Sequence, residues 1–317
     1  MMSNPTLRWL LVILAFVLLA ALPFAFGPYY VRVAMAMCIS AGLALSWYIL
    51  GGFAAYYSFG HTAFVGIGAF AAGLALQVWK PLHWGAQLAL GLRFGVGVSA
   101  ALAALIAWPI LRLRGHYFTI AMLAVALVCA EVVSAFPFFK GSSGLSLPNL
   151  APIGIRIERF YYWVALALLA VAAIVAWIIA RSRLGYGLYA IREDEEAALM
   201  LGVPATRLKV AAFVISAALT GGFGVLYALN LGYITTDSVF RGALSLDMIV
   251  NSLVGGMGSL MGPIIGAVAM TALTKIALAD MLEYHLAITG LVVIVVVLLA
   301  PEGIIGLFSR FRRGGRS

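Results

Sequence analysis

The chain has 317 residues, of which 64% are hydrophobic and 10% are charged, and its formal net charge is +9. Soluble domains carry about 25% charged residues, so this composition excludes a soluble enzyme and indicates a single polytopic membrane domain, residues 1–317. The two cysteines, Cys38 and Cys129, both lie in apolar runs. They favour neither a disulfide framework nor a metal site.

Apolar runs close to the ~20 residues that a membrane-spanning helix needs recur along the chain. The first run lacks a small-residue cleavage site, so it predicts a transmembrane helix in preference to a signal peptide. The pattern predicts an all-α, polytopic transmembrane helical bundle of about 8–10 membrane segments. The runs are residues 7–26, 31–50, 61–79, 87–111, 117–136, 160–180 and 208–231, with a shorter run at 287–300.

A glycine-rich stretch begins the third run. Gly60 interrupts the apolar sequence directly before His61, and Gly66 and Gly68 follow. Small residues spaced four apart, such as Gly68 and Ala72, allow helices to pack closely. One interpretation is therefore simple helix packing, and the other is a helix that begins inside the protein and faces a translocation pathway. Gly60, His61, Gly66 and Gly68 are our pathway candidates here.

Glu131 is an acid within an apolar run. Such a residue is costly inside a bilayer and is a functional candidate by default. Glu131 also lies near the outer end of its run, where Arg32 or Arg93 could pair with it. Both interpretations remain open from the sequence.

The only long polar break is the loop 181–208. Gly185 and Gly187 predict a turn near its start. Four consecutive acids follow, and acids in a first helical turn complement the helix dipole. Gly202 is expected at the helix end in a left-handed conformation. The sequence therefore predicts a short isolated helix over 193–201, which is too short to cross a bilayer.

This short helix is either a solvated connector or a docking surface for another protein. Ala197, Ala198 and Leu201 give it a small apolar stripe, and the acids give that stripe a charged rim. The residues that we assign to docking are Arg192, Glu193, Glu195, Ala197, Ala198 and Gly202.

A second break lies in the segment 241–280. Glycines and a proline cluster at 255–263, and the apolar stretch 245–254 before them is too short to cross alone. Non-helical backbone at membrane depth survives only where it is buried in protein or lines a cavity. We therefore predict a re-entrant pair or two short tilted helices, and Gly256 and Gly258 become further pathway candidates.

Lysine and arginine predict the orientation, because they concentrate on the cytoplasmic side. With the loop 181–208 in the cytoplasm, twelve of the 20 cations fall inside, seven fall at or near the outer face, and Lys275 lies at membrane depth. Both termini are then cytoplasmic. The net charge is explained by this bias, so nucleic acid is not an expected partner, and the basic tail 310–316 suits anionic lipid headgroups.

Several stretches resemble the LivM-type permeases of bacterial ABC importers for branched-chain amino acids. The resemblance covers residues 31–308 and is most specific in the loop. The chain departs from the family pattern at Tyr186-Gly187, where the family usually has Arg-Ala. The stretches 58–70, 112–120 and 301–306 also resemble family patterns. The matching loop residues are Arg181, Ser182, Gly185, Ala190, Ile191, Arg192, Glu193, Glu195, Ala197, Ala198, Gly202, Val203, Arg207, Lys209, Ala212, Phe213, Ile215, Ser216 and Ala217.

The resemblance implies a permease subunit in a bacterial inner membrane. It further implies a homologous second permease subunit, two ATPase subunits on the cytosolic face and a periplasmic substrate-binding protein. ATP and Mg²⁺ are then bound by the ATPase subunits, which contact the coupling loop of this chain. The implied substrates are branched-chain amino acids, with other amino acids, urea-like amides or small carboxylates as alternatives. The outer loop 140–159 is either a plain loop or the contact for the binding protein.

The sequence contains no G-x-x-x-x-G-K-[ST] motif, so we expect no P-loop binding of ATP by this chain. We expect it to be no enzyme, with no catalytic residue, metal or cofactor of its own. The alternative is a self-sufficient secondary transporter, which would need ion or proton sites within the membrane. Its candidates are His61, Glu131, Asp247 and Lys275.

Overall fold

Apolar segments form helices because a bilayer offers no other hydrogen-bond partners to their backbone groups. A computed structural model describes residues 16–79, 83–140 and 143–277, together with residues 288, 290, 291, 294, 298 and 303–306. Its helices are α1 (Phe16–Ala25), α2 (Pro28–Ala54), α3 (Thr62–Val78), α4 (Trp84–Ile110), α5 (His116–Ala135), α6 (Ile157–Ala180), α7 (Arg183–Glu193), α8 (Glu195–Met200), α9 (Ala205–Leu231), α10 (Thr236–Val239), α11 (Gly242–Gly255) and α12 (Gly262–Ala272).

Within this part of the chain, five helices are long and apolar enough to cross a membrane, namely α2, α4, α5, α6 and α9. The helix α3 is shorter, with 17 residues. These elements confirm the predicted all-α, polytopic bundle. Residues 7–15 of the first predicted run, most of the run 287–300 and the tail 310–316 lie outside the described residues.

The bundle has two distinct ends. At one end, which we call the coupling end, α2 and α4 finish, α5 and α9 begin, and α7 and α8 lie across them. Arg112 and Arg181 stack on Trp108 and Trp177 there, at 3.4 and 4.4 Å from the ring centroids. Arginine and tryptophan are common anchors where helices leave the hydrocarbon.

The opposite end is closed by a two-stranded ribbon. The strand β1 (Leu145–Ser146) pairs antiparallel with β2 (Tyr233–Ile234), and Leu145 lies opposite Ile234. The backbone N–H of Leu147 also donates to the carbonyl of Gly232, at 2.8 Å. The ribbon ties the connection between α5 and α6 to the end of α9.

The second break lies between α11 and α12, as predicted. Its turn contains Gly256, which has φ +107°, and Met257, whose carbonyl accepts a hydrogen bond from the Tyr48 hydroxyl at 2.8 Å. At the other end of α2, the Tyr29 hydroxyl donates to the carbonyl of Lys275 at 2.6 Å. The segment therefore runs along α2 towards the coupling end and returns beside it.

The helices α3, α4 and α9 pack with their backbones in close contact. A side chain on Gly68 would meet the backbone of Gly221, and one on Gly221 would meet both the Gly95 carbonyl and Ser99. The Ser99 hydroxyl donates to the carbonyl of Phe64 at 3.1 Å. This arrangement confirms the predicted role of small residues in helix packing.

We expect Gly221→Ala to destabilise the protein by about 1–3 kcal/mol, because its methyl group would overpack this contact. The matched control is Gly97→Ala on α4, where an added Cβ meets nothing within 4 Å. Alanine should be neutral or stabilise there by up to about 1 kcal/mol through its higher helix propensity. Equal thermal unfolding midpoints for the two purified variants in detergent would contradict the packing.

Candidate functional site

The loop 181–208 forms two helices, which are divided at Asp194. The Asp194 carboxylate accepts hydrogen bonds from the backbone N–H groups of Glu196 (2.8 Å) and Ala197 (3.1 Å), as an N-cap residue does. Its extended backbone, with φ −159° and ψ 112°, ends α7 at Glu193 and starts α8 at Glu195. The predicted short helix is therefore present as α8, but its predicted start at Glu193 is wrong, because Asp194 caps α8 and separates Glu193 from it.

The glycines at the start of the loop serve packing. Gly185 and Gly187 lie inside α7, so the predicted turn there is also wrong. Gly185 rests against the carbonyl of Ile179, and Gly187 rests against the side chain of Leu208. Gly202 has φ +81°, which confirms its predicted left-handed conformation.

The centre of the site is the ammonium group of Lys209, a residue of α9 that is only 3% exposed. Its Nζ atom donates to the Tyr56 hydroxyl (2.8 Å), the Leu111 carbonyl (3.3 Å) and Glu195 Oε1 (2.7 Å). An ammonium group has three N–H donors, so all of them are used. The Tyr56 hydroxyl donates in turn to Glu195 Oε2, at 2.7 Å.

This network, which we call the Lys209 cluster, consists of Lys209, Tyr56, Glu195 and the Leu111 carbonyl. It joins the segment after α2, the end of α4, the first turn of α8 and the first turns of α9. Arg114 extends it at the surface, with Nη2 3.6 Å from Glu195 Oε1 and Nη1 3.0 Å from Glu196 Oε1.

The charged groups of the Lys209 cluster stabilise one another in their ionised forms. Burial by itself would raise the pKa of Glu195, but hydrogen bonds from Lys209 and Tyr56, together with the positive charges of Lys209 and Arg114, hold that pKa below its usual range. The nearby Glu195 carboxylate raises the pKa of Arg114. Burial, followed by the contact with Glu195, raises the pKa of Tyr56. The Glu195 carboxylate is therefore ionised at neutral pH, opposite the buried ammonium group.

Three of the residues assigned to docking face the protein itself. Glu195 turns towards Lys209, Ala198 is 2% exposed, and Arg192 Nη1 donates to the Gly52 carbonyl at 2.8 Å. These three side chains therefore contact the bundle in the described part of the chain, and their assignment to docking stays a prediction. The ammonium group of Lys209 holds the Glu195 side chain against the bundle. Residues three apart on a helix share a face, so the side chain of Ala198 also faces the bundle.

The outward side of α8 is apolar at its C-terminal end. Met200 is 91% exposed and Leu201 is 83% exposed, and Ala197 beside them is also exposed. We call Ala197, Met200 and Leu201 the outer coupling face. Glu193 and Gly202, which the sequence also assigned to docking, are exposed at its edges.

The sequence analysis missed the role of Lys209 and Tyr56. A signal for Lys209 was present, because it shares a helical stripe with Ala205, Ala212 and Ser216, all of which are buried. A lysine in such a stripe needs a buried partner. Tyr56 gave no comparable signal, since it lies in a non-helical segment.

The pathway candidates near α3 lie in helix contacts. His61 directly precedes α3 and is fully buried, with Nε2 2.7 Å from Ser216 Oγ. Its Nδ1 atom has no hydrogen-bond partner in the described part of the chain. Gly60 lies against α5, Gly66 against an aromatic ring and Gly68 against α9.

A cavity of about 690 Å³ lies elsewhere, between α2, α9, α11 and α12. Its lining includes Arg241, Asp247 and Lys275. The six pathway candidates of the sequence analysis are not among its lining residues; Gly256 and Gly258 lie in the turn between α11 and α12.

Two other expectations concern single charges and metals. Arg32 pairs with Glu158, at 2.8 Å, and so the option that it pairs with Glu131 is wrong. Across residues 16–79, 83–140 and 143–277, no group of three or more His, Cys, Asp or Glu side chains could hold a metal ion.

We expect Glu195→Gln to destabilise the protein by about 3 kcal/mol, near the low end of the range for breaking a buried ion pair, because the Glu195 edge of the pair is partly exposed. The matched control is Glu196→Gln, the next residue. Its side chain is 80% exposed, so the loss should stay below about 1 kcal/mol. Adding Lys209→Met to Glu195→Gln should recover part of the loss, because no unpaired ammonium remains. Additive effects of the two changes on the thermal unfolding midpoint would contradict the pairing.

The Glu195 contribution should depend on pH only under acidic conditions. A carboxyl whose pKa is lowered on folding stabilises fully above its unfolded pKa of about 4.3 and loses this effect as the pH falls through the folded pKa. The difference in unfolding midpoint between the wild type and Glu195→Gln should therefore be constant above about pH 5 and shrink below about pH 4.3. A difference that changes between pH 6 and 8 would contradict this.

Comparisons with known proteins identify a family for this chain. Residues 29–297 match the family described as branched-chain amino acid transport system / permease component. The chain is 28% identical to the high-affinity branched-chain amino acid transport system permease protein LivM of Salmonella typhimurium, over 96% of this chain and 76% of that one. It is 27% identical to LivM of Escherichia coli over the same shares.

A shorter match links the chain to a permease with another cargo. It is 29% identical to the autoinducer 2 import system permease protein LsrC of Klebsiella pneumoniae, over 43% of this chain and 41% of that protein. The family match covers most of the chain and includes the loop 181–208 and the segment after it. The protein therefore belongs to the permease-component family of branched-chain amino acid transport systems.

Proposed function

We propose that this chain moves branched-chain amino acids into the bacterial cytoplasm as one of two permease subunits, with ATP and Mg²⁺ bound by two separate ATPase subunits. The observation that carries the proposal is the two-sided helix α8. Its inner side is fixed to the bundle by the Lys209 cluster, and its outer coupling face is apolar and exposed.

The outer coupling face suits a groove on an ATPase. Exposed apolar side chains on a polar loop mark interaction sites, and a short helix laid into a groove is a common mode of recognition. Ala197 lets the partner approach the helix closely, whereas Met200 and Leu201 supply the apolar area. Glu193 and Gly202 lie at the rim of this contact.

The opposite end suits a substrate-binding protein. Phe138 and Ile153 are exposed there, beside the ribbon that closes the bundle. We place this end in the periplasm and the coupling end in the cytoplasm, because cations are more numerous at the coupling end. Both termini are then cytoplasmic, and the membrane is the bacterial inner membrane.

The Lys209 cluster supports a mechanism for coupling. When the ATPases close, they would move α8, and the ion pair would transmit the movement to α9 because Glu195 and Lys209 cannot separate without leaving a buried charge unpaired. The helix α9 packs on α3 and α4 through backbone contacts, so the three would move as a unit. ATP would thus shift the population towards an inward-open state through differential contacts.

The choice of substrate rests on the relatives. Two relatives that match 96% of this chain are named for branched-chain amino acid transport, whereas the autoinducer 2 permease matches 43% of it. We therefore propose L-leucine as the first substrate to test. A self-sufficient secondary transporter is the alternative, and it differs in needing no ATPase.

We expect vesicles that contain this chain, its second permease subunit and its ATPases to take up L-leucine when ATP and the loaded binding protein are supplied. The variant Met200→Asp/Leu201→Asp should reduce both uptake and stimulated ATP hydrolysis at least tenfold, because it places charges in an apolar contact. Its ATPases should no longer co-purify in detergent.

The control is Ile153→Asp, an equally exposed apolar residue at the opposite end. It should leave co-purification of the ATPases unchanged. Leucine uptake that persists without ATPases would favour the secondary transporter, and normal ATPase binding by Met200→Asp/Leu201→Asp would return α8 to the role of a solvated connector.

A further inference from the structure

The cavity between α2, α9, α11 and α12 differs chemically from the rest of the bundle. Its volume of about 690 Å³ lies within the range of small-molecule sites, which is about 300–1,000 Å³. It lies on the side of the midplane away from the coupling end, since Tyr227 and Asn230 of its lining belong to the last turns of α9, next to the ribbon.

Three charged residues line this cavity: Arg241, Asp247 and Lys275. In the described part of the chain, none of them forms an ion pair. Arg241 and Asp247 nevertheless lie close enough to interact electrostatically. Charges in membrane segments are rare and mark solute pathways, because they are costly unless they face water or a polar ligand.

The remaining walls divide into polar and apolar parts. The Asn251 side chain donates to the Ser40 hydroxyl at 3.0 Å, which fixes a polar patch on α2 and α11. Leu43, Leu244 and Met270 supply apolar wall. A ligand held here would therefore meet opposite charges, an amide and an aliphatic surface.

We propose that this cavity is a subsite of the translocation pathway for a zwitterionic α-amino acid with an aliphatic side chain. Its carboxylate pairs with Arg241, its ammonium group pairs with Asp247, and its side chain contacts the apolar wall. Lys275 adds positive charge at the cavity and attracts the carboxylate. The amino-acid class rests on the proposed function, whereas the location and the charge pattern rest on the cavity alone.

The opposite charges select against simpler ions. A monocarboxylate would pair with Arg241 but would also face Asp247, which carries a like charge and repels it. A cationic amine would meet the reverse conflict. A zwitterion satisfies both groups at once, and this is the recognition that the cavity offers.

The first test uses the reconstituted transporter and L-leucine as the probe. Asp247→Asn and Arg241→Gln should each lower uptake per complex at least tenfold, while ATP hydrolysis stimulated by the loaded binding protein stays within twofold of the wild type. The matched controls are Asp237→Asn and Arg93→Gln, which replace an exposed acid and an exposed arginine that do not line the cavity. Both should transport normally.

Uptake within twofold of the wild type for both cavity variants would overturn the proposal. Loss of uptake in Arg241→Gln alone, with Asp247→Asn normal, would also overturn it, because the site would then bind an anion. If the wild type takes up no leucine at all, the proposed function fails, and a second experiment tests the cavity separately.

The second experiment uses thiol reagents on the assembled complex. In a background of Cys38→Ser and Cys129→Ser, a Thr274→Cys residue in the cavity should react with small charged methanethiosulfonates, whereas Thr220→Cys, which replaces a fully buried threonine of α9, should not. Asp247→Asn should increase the rate at which the anionic reagent reacts with Thr274→Cys, relative to the rate for the cationic reagent. No reaction at Thr274→Cys would show that the assembled complex covers the cavity and would overturn the site. A ratio of the anionic to the cationic reaction rate that Asp247→Asn leaves unchanged would also overturn it.

Discussion

A buried ammonium group needs three acceptors, and this requirement governs the coupling end of the bundle. Lys209 finds them on three separate parts of the chain: the hydroxyl of Tyr56, the carbonyl of Leu111 and the carboxylate of Glu195. If any one of them moved away, a charge would remain in a medium of low dielectric constant with an unsatisfied donor. The loop, the end of α4 and the segment after α2 are thus held in one arrangement.

Much of the fold could be predicted from the sequence, because its signals are local. Apolar runs gave the spans, and the cluster around Gly256 gave the break between α11 and α12. The division of the loop at Asp194 could not be predicted with equal certainty, since an acid near a helix start serves either as a cap or as a first-turn residue. The partner of Lys209 was hidden because it depends on tertiary contacts.

The glycines were interpreted correctly as signs of close approach, but close approach does not identify a pathway. Gly68 lies against the backbone of α9 and Gly66 lies against the ring of Phe240, and neither residue lines the cavity. The cavity is instead bordered by long side chains such as Arg241 and Met270. In the described part of the chain, Arg241, Asp247 and Lys275 form no ion pair, and these charges at the cavity are what support the proposal of a path there.

The ribbon has a consequence for the energetics of assembly. It fixes the connection between α5 and α6 to one end of α9, and Lys209 fixes α8 near the other end of the same helix. With 27 residues, α9 spans about 40 Å at 1.5 Å per residue. Suppose that a ligand at one end of the bundle favours one position of α9 and thereby changes the affinity for a partner at the other end. Because binding linkage is reciprocal, the partner must change the affinity for the ligand by the same factor. A single helix that contacts both ends of the bundle is enough to couple binding at the two ends in this reciprocal way.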